Sequence, residues 1–233
     1  MVIRQSFEQK LKDLHLDLIE MGSLVEESIE NTILALKNQD IELARNIFEK
    51  DDLIDDLERN IEKKCLILIA RQQPIAKDLR TITAALKIIT DMERIGDHSS
   101  DIAEITIRMA HEKYIKPLID IPKMAEKAKQ MVKKSIDAYI RQDIELAKEV
   151  CASDDDVDEL FHRIVLELIN IMKNDPNSVE QAVNLMLIAK YLERMGDHAT
   201  NISEWVVYNV TGEHEHLAKY MHKDDRKNNP FYL

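Results

Sequence analysis

The stretch DMERIGDHSSD, Asp91–Asp101, is followed one hundred residues later by YLERMGDHATN, Tyr191–Asn201. Both stretches contain the hexapeptide Glu-Arg-x-Gly-Asp-His, and together they use two of the four glycines in this chain of 233 residues. A second repeat, QDIELA, occurs at Gln39–Ala44 and again at Gln142–Ala147. A period near one hundred residues is too long for a solenoid unit and indicates a duplicated domain.

Each half of the chain has the pattern of three long helices. Apolar residues recur every three or four positions along the segment 7–36, which places them on one face of an α-helix. This first helix is predicted to end at Asn38, and Asp40 is predicted to cap the second. The second helix is predicted to stop at Gln73, because the residue before a proline disfavours helical angles, and Pro74 suits the start of the third.

Short connections make neighbouring helices antiparallel, so each set of three helices is expected to form one bundle. The predicted fold class is therefore all-α, with two tandem, sequence-related three-helix bundles. The predicted segments are 1–113 for the first bundle, 114–212 for the second bundle and 213–233 for a polar C-terminal tail.

Composition and charge exclude several classes of protein. The formal net charge of −12 disfavours nucleic-acid binding, which needs a basic surface. Two cysteines are too few for a disulfide framework. The apolar run CLILIA has six residues, against the ~20 that span a bilayer, and the start of the chain lacks a signal-peptide pattern. We expect a cytoplasmic protein with no transmembrane segment.

Acidic residues are placed at equal distances from the predicted turn of the first bundle. In an antiparallel helix hairpin, two residues equally far from the turn lie at the same height. Asp51 and Asp97 are equally far from Pro74, and so are Asp55 and Glu93. We therefore expect these four carboxylates at one level of two adjacent helices.

The second half repeats this arrangement about a different turn. Asp154 and Asp197 are equally far from the junction at residues 175–176, and so are Asp158 and Glu193. The two turns are located from proline, independently of the acids. The sequence thus predicts a second group of four carboxylates.

Four carboxylates at one level repel each other. A like pair ~4 Å apart costs roughly 1 kcal/mol in water and about 4 kcal/mol near a protein surface. A bound cation removes that cost, and carboxylate oxygens suit Mg, Ca, Mn and iron, while zinc also accepts them. Asp101 extends the acidic face of the first half, whereas Asn201 replaces it in the second, which is expected to hold fewer ions. The predicted metal ligands are Asp51, Asp55, Glu93, Asp97, Asp101, Asp154, Asp158, Glu193 and Asp197.

Other residues of the hexapeptide have simpler interpretations. His98 and His198 lie about 100° round the helix from the preceding aspartate and are expected to be partly exposed. Arg94 is expected to pair with a neighbouring carboxylate. Gly96 and Gly196 are expected to mark close approach of another helix, since glycine inside a helix costs ~1 kcal/mol relative to alanine. No catalytic constellation and no glycine-rich phosphate loop occurs, so we expect no enzyme activity, no catalytic residues and no organic-cofactor site.

Several motifs of the sequence resemble those of a known protein family. The doubled E-R-[IM]-G-D motif, RQQPIAKDLR at Arg71–Arg80 and MGSLVEESIE at Met21–Glu30 are similar to PhoU, the accessory and regulatory protein of phosphate transport in bacteria and archaea. The likeness covers roughly Ser6 to Gly212. It implies two three-helix bundles with multinuclear iron or zinc clusters on their surfaces. The matching positions are the two groups of four acids given above.

The resemblance also implies a role in regulation. Proteins of this family are cytoplasmic and often homodimeric. They couple the ATPase subunit of the phosphate ABC transporter to a sensor histidine kinase, and lie at the inner membrane through those partners. They repress the phosphate-starvation response when phosphate is plentiful.

Two alternatives of other classes remain. One is a ferritin-like carboxylate metalloprotein for metal storage or oxidation. Such proteins usually draw glutamates and Glu-x-x-His motifs from four helices of one bundle. The other is a purely structural helical scaffold whose acids form solvated faces.

Overall fold

The computed structural model describes the backbone of residues 2–213 and the side chains of residues 7–213. Within that part of the chain all regular structure is helical, which confirms the predicted fold class. A short 3-10 turn at Pro176–Ser178 precedes the last helix. The six α-helices are α1 (Val2–Asn38), α2 (Ile41–Gln72), α3 (Ala76–Met109), α4 (Asp120–Arg141), α5 (Ile144–Asn174) and α6 (Val179–Thr211).

Helices α1 to α3 form the first bundle and α4 to α6 form the second. The boundary between segments 1–113 and 114–212 stays a prediction. All but the first residue of the predicted tail, 213–233, lies outside the described residues.

The QDIELA repeats form equivalent turns in the two bundles. Asp40 and Asp143 are the N-caps of α2 and α5, and each carboxylate accepts a hydrogen bond of 3.0 Å from the backbone N–H three residues later. Such a cap satisfies an N–H group that has no partner within the helix. The predicted end of α1 at Asn38 and the predicted cap at Asp40 are confirmed.

The two hairpin turns lie where proline predicted them. Helix α2 ends at Gln72, and Gln73 adopts a left-handed conformation with φ 45°. Helix α3 begins at Ala76, so Pro74 lies in the turn and the prediction that it starts the helix is wrong by two residues. In the second bundle the turn contains Asp175, whose carboxylate accepts a hydrogen bond from the N–H of Asn177.

One continuous apolar core runs through both bundles. Helices α3 and α6 pack against each other in opposite directions, as the 2.9 Å hydrogen bond from Thr81 to Asn209 near the start of α3 and the end of α6 demonstrates. Helices α1 and α4 also meet, with an ion pair of 3.1 Å between Glu26 and Lys133. The predicted acids lie on two pairs of adjacent helices. These pairs are α2 and α3 in the first bundle and α5 and α6 in the second.

Candidate metal centres

The first acidic group lies between α2 and α3, as the hairpin geometry predicted. Asp51, Asp55 and Asp97 each place a carboxylate oxygen within 4.8 Å of the oxygens of the other two. Glu93, one turn before Asp97, adds a fourth carboxylate that interacts electrostatically with Asp97 and Asp55. These side chains are partly buried, so their mutual repulsion is screened less than on an open surface.

Burial, together with the neighbouring negative charges, makes the acids of this group harder to ionise. Burial, followed by the charge of Asp97, raises the pKa of Glu93 to about 7. Burial also raises the pKa of Asp51, against a hydrogen bond from Ser100 that lowers it. Arg94 supplies partial compensation, with its guanidinium 3.0 Å from Asp97 and 3.4 Å from Glu93. The expected pairing of Arg94 is therefore confirmed.

The second acidic group lies between α5 and α6. Asp154 is only 6% exposed, and burial followed by the charges of Asp158, Asp197 and Glu193 raises its pKa to about 8. Burial and then Glu193 raise the pKa of Asp197 to about 6. Lys190 pairs with Glu193 at 2.5 Å and offsets part of the negative charge. The structure thus brings the four predicted acids of this half together as well.

The glycine of each hexapeptide makes room for an aspartate of the neighbouring helix. A Cβ atom at Gly96 would lie 2.9 Å from Asp51 Oδ1, and a Cβ atom at Gly196 would lie 3.1 Å from Asp154 Oδ1. The close approach predicted for both glycines is confirmed. What approaches is a carboxylate of the acidic group, which packs directly against the backbone of the motif helix.

The surroundings of these two oxygens indicate whether a cation fits between the acids. Asp51 Oδ1 and Asp154 Oδ1 are buried, and neither has a hydrogen-bond partner among the described residues. A buried carboxylate oxygen without a partner is costly, and a cation held by the neighbouring carboxylates would satisfy it. The donor set is all oxygen, which matches hard divalent cations and is also found around iron and zinc. The residues of the first group therefore fit a metal ion, and Asp154 leaves a similar unpartnered oxygen in the second group.

Asp101 is directed away from the first acidic group. Its carboxylate accepts a hydrogen bond from the hydroxyl of Tyr191 on the other bundle. Its Oδ2 atom lies 3.6 Å from Nδ1 of His98. These contacts place Asp101 at the junction between the bundles, and its predicted role as a metal ligand has no geometric support here.

The histidines of the motif also lie at this junction. His98 is 6% exposed, with its ring centroid 5.3 Å from that of Tyr191 and 5.6 Å from that of His198. The expectation of partial exposure is wrong for His98, because α6 covers it. Burial, followed by His198, lowers the pKa of His98 to about 4, so the ring is neutral near pH 7. His198 places Nδ1 2.8 Å from Oδ1 of Asp91.

Sequence reasoning missed this junction. Asp91 and Tyr191 occupy equivalent positions in the two quoted stretches, and each contacts polar groups of the opposite bundle. The sequence contains one signal for this junction, because Asp91 precedes His98 by the same number of residues as Tyr191 precedes His198. Each hexapeptide therefore has two faces, because its acids face α2 or α5 while its histidine faces the other bundle.

Comparison with known proteins agrees with this architecture. The PhoU domain family matches residues 18–106 and 121–206. The phosphate-specific transport system accessory protein PhoU homolog of Clostridium acetobutylicum is 46% identical over 90% of this chain and 96% of its own length. The corresponding homolog of Aquifex aeolicus is 41% identical over 91% of this chain and 97% of its own length.

A solved structure also shares the fold. The crystal structure of PhoU from Pseudomonas aeruginosa has a TM-score of 0.86 and 36% identity, covering 89% of this chain and 100% of its own. Both the domain repeat and the helical arrangement of this chain are thus found in a structure whose sequence is clearly related.

Proposed function

The chain belongs to the PhoU family, and on that basis we propose that it regulates phosphate uptake by coupling the ATPase subunit of a phosphate ABC transporter to a sensor histidine kinase. Its place as an accessory protein of phosphate transport follows from the family. The finer role, repression of the phosphate-starvation response through those two partners, is our proposal. The observation that supports it most is 46% identity to a transport accessory protein across nearly the whole chain.

We also propose that both acidic groups bind metal ions. The ligands would be Asp51, Asp55, Glu93 and Asp97 in the first group and Asp154, Asp158, Glu193 and Asp197 in the second. Iron or zinc is the expected metal from the family resemblance, and Mg, Ca or Mn suits the same oxygens. The support is geometric, since each group contains a buried carboxylate oxygen that lacks a partner among the described residues.

A bound cation would neutralise the acids and hold two helices at a fixed separation. Each like-charge pair at ~4 Å costs about 4 kcal/mol near a protein surface, so neutralisation stabilises the metal-bound state. Metal occupancy would then set the charge and rigidity of the surface that a partner meets. The chemistry that the ion supplies in this proposal is electrostatic.

The proposed setting is the cytoplasmic face of the inner membrane, reached through the transporter. None of the described helices is long and apolar enough to cross a bilayer. Assembly as a homodimer is part of the proposal and comes from the family resemblance.

The alternatives are disfavoured by specific contacts. In a ferritin-like centre histidine would join the acids, whereas His98 faces Tyr191 and His198 faces Asp91. In a purely structural scaffold the acids would be solvated, whereas Asp154 is 6% exposed. A ferroxidase assay on iron-loaded protein tests the first alternative, since the adaptor proposal predicts no turnover.

The proposed partners are tested by affinity capture from phosphate-replete and phosphate-starved cells. Wild-type protein is expected to recover the transporter ATPase and the sensor kinase, with recovery that depends on phosphate supply. Glu93→Gln/Asp97→Asn removes charge from the first group and is expected to weaken capture. Glu42→Gln/Glu145→Gln, which changes two exposed acids in the first turns of α2 and α5, is the matched control. Recovery of neither partner in either condition would reject the adaptor function.

A further inference from the structure

Two hydroxyl side chains lie beside the acidic groups at equivalent positions of the repeat. Ser100 follows Asp97 by three residues, and Thr200 follows Asp197 by three. Ser100 donates a hydrogen bond of 2.7 Å to Oδ2 of Asp51. Thr200 is 4% exposed, and its hydroxyl has no hydrogen-bond partner among the described residues. The same position therefore behaves differently in the two halves.

In the first group, contacts on both sides fix the carboxylate of Asp51. Its Oδ2 atom accepts the hydrogen bond from Ser100, while its Oδ1 atom packs against the Cα of Gly96. Rotation about the Cβ–Cγ bond would break the first contact and push an oxygen into the second. The orientation that remains leaves Asp51 within 4.8 Å of the ligand atoms of Asp55 and Asp97.

The second group lacks this fixation. Asp154 Oδ1 packs against Gly196 in the same way, but no hydroxyl contact from Thr200 is present to hold the carboxylate. Within residues 7–213 the acids of the second group also do not form a set of three whose ligand atoms lie within 4.8 Å of each other. Asp154 is the more buried of the two aspartates as well, so its charged form is the more costly to create.

From this geometry we propose that Ser100 is a positioning residue that pre-organises Asp51, so that the first acidic group binds a divalent cation more tightly than the second and fills first. The inference rests on the proposed metal-binding function and adds an order of filling to it. Residues that hydrogen-bond to a metal ligand commonly contribute 10–100-fold to metal affinity, because they hold the ligand in the geometry that binding requires. Ser100 would have this role only in the first bundle.

The test is a titration of metal-free protein with Mn²⁺, and in a separate experiment with Zn²⁺, in which calorimetry measures binding. The electron paramagnetic resonance spectrum of the bound Mn²⁺ reports its coordination. Wild-type protein is expected to show a tighter and a weaker step. Glu93→Gln is expected to remove the tighter step and Glu193→Gln the weaker one, which assigns each step to its group.

Hydroxyl variants then isolate the positioning role. Ser100→Ala is expected to weaken the tighter step at least ~10-fold and to change the spectrum of that ion, while the weaker step stays the same. Thr200→Ala is the matched control and is expected to leave both steps unchanged. Since alanine is the better helix former, Ser100→Ala is expected to fold, and its circular dichroism and urea-unfolding midpoint verify this.

The outcomes separate this inference from the function on which it rests. A tighter step that Ser100→Ala leaves unchanged, or that Glu193→Gln removes, overturns the role of Ser100 while the metal sites stand. Wild-type protein that takes up neither Mn²⁺ nor Zn²⁺ rejects the metal sites themselves.

Discussion

Changing Gly96 to alanine separates the stability of the bundle from the binding of metal. The new Cβ atom would lie 2.9 Å from Asp51 Oδ1 and 3.2 Å from Cδ1 of Ile54. The first separation is too short, so the carboxylate of Asp51 must turn away. That movement breaks the hydrogen bond from Ser100 and takes Asp51 out of the acidic group.

The expected change in the free energy of unfolding is small, because two effects oppose each other. Alanine gains ~1 kcal/mol of helix propensity over glycine. Loss of the hydrogen bond from Ser100 to the carboxylate of Asp51 costs about 1.5–3 kcal/mol. The metal-free variant is therefore expected to be less stable than wild type by about 0.5–2 kcal/mol. Its affinity for metal at the first group is expected to fall 10–100-fold, or about 1.4–2.8 kcal/mol.

Urea unfolding in the presence of chelator measures the stability, and titration with Mn²⁺ measures the affinity. Gly22→Ala is the control, because its Cβ atom would lie 2.8 Å from Cδ1 of Ile136, at the contact between α1 and α4 rather than at an acidic group. This control is expected to keep wild-type affinity for Mn²⁺. A Gly96→Ala protein that binds Mn²⁺ as tightly as wild type would refute the role assigned to the glycine.

Three further predictions concern the stability of the folded protein, and the first of them is for the protein without metal. Raising the pH from about 5 to about 9 is expected to lower the free energy of unfolding, since the folded protein raises the pKa of Glu93 to about 7 and that of Asp154 to about 8. Folding then takes up protons in this window and stability is lost as pH rises through those values, so urea midpoints that increase with pH would contradict it. Asp91→Asn weakens the contact with His198 and is expected to cost about 1–2 kcal/mol in urea unfolding. The number of ions bound should stay the same, and loss of metal would show that the bundle junction and the acidic groups are not separate. Tyr139→Phe removes a buried hydroxyl that has no partner among the described residues, so thermal unfolding should show stability unchanged or raised by up to ~1 kcal/mol. A loss of stability greater than ~1 kcal/mol would mean that the Tyr139 hydroxyl makes a stabilising interaction in the folded protein.

The acidic groups were predictable from sequence because, in an antiparallel helix hairpin, the position of the turn decides which residues lie at the same height. Once Pro74 locates the turn, the regular rise of each helix determines which residues share a height. Asp51 and Asp97 meet for that reason, and the same rule works in the second bundle. No knowledge of the rest of the fold is needed.

Packing between the bundles was not predictable in this way. His98 is buried only because α6 crosses α3, and nothing local to the first half specifies that contact. The position of the Asp101 side chain also depends on packing between the bundles, since its carboxylate accepts a hydrogen bond from Tyr191 of the other bundle. A repeated motif indicates equivalent positions in two domains, but it does not say how the domains face each other.

An apolar face of α3 and of α6 leads towards each acidic group, and its burial changes along the helix. Ile82 is fully buried, as its position on that face requires. Leu79 and Val179, on the same face one turn earlier, are 40% and 43% exposed. They lie in the first turn of α3 and α6, where the neighbouring helix has already ended or is ending. Periodicity identifies the direction in which a side chain points, but not how far the partner helix extends.

Anomalous diffraction from crystals of metal-loaded protein, recorded at the absorption edge of the bound metal, tests the central claim most directly. The account predicts one peak or cluster among the carboxylates of Asp51, Asp55, Glu93 and Asp97, and another among those of Asp154, Asp158, Glu193 and Asp197. Peaks at neither position, or peaks only at the junction that contains His98 and His198, would contradict it.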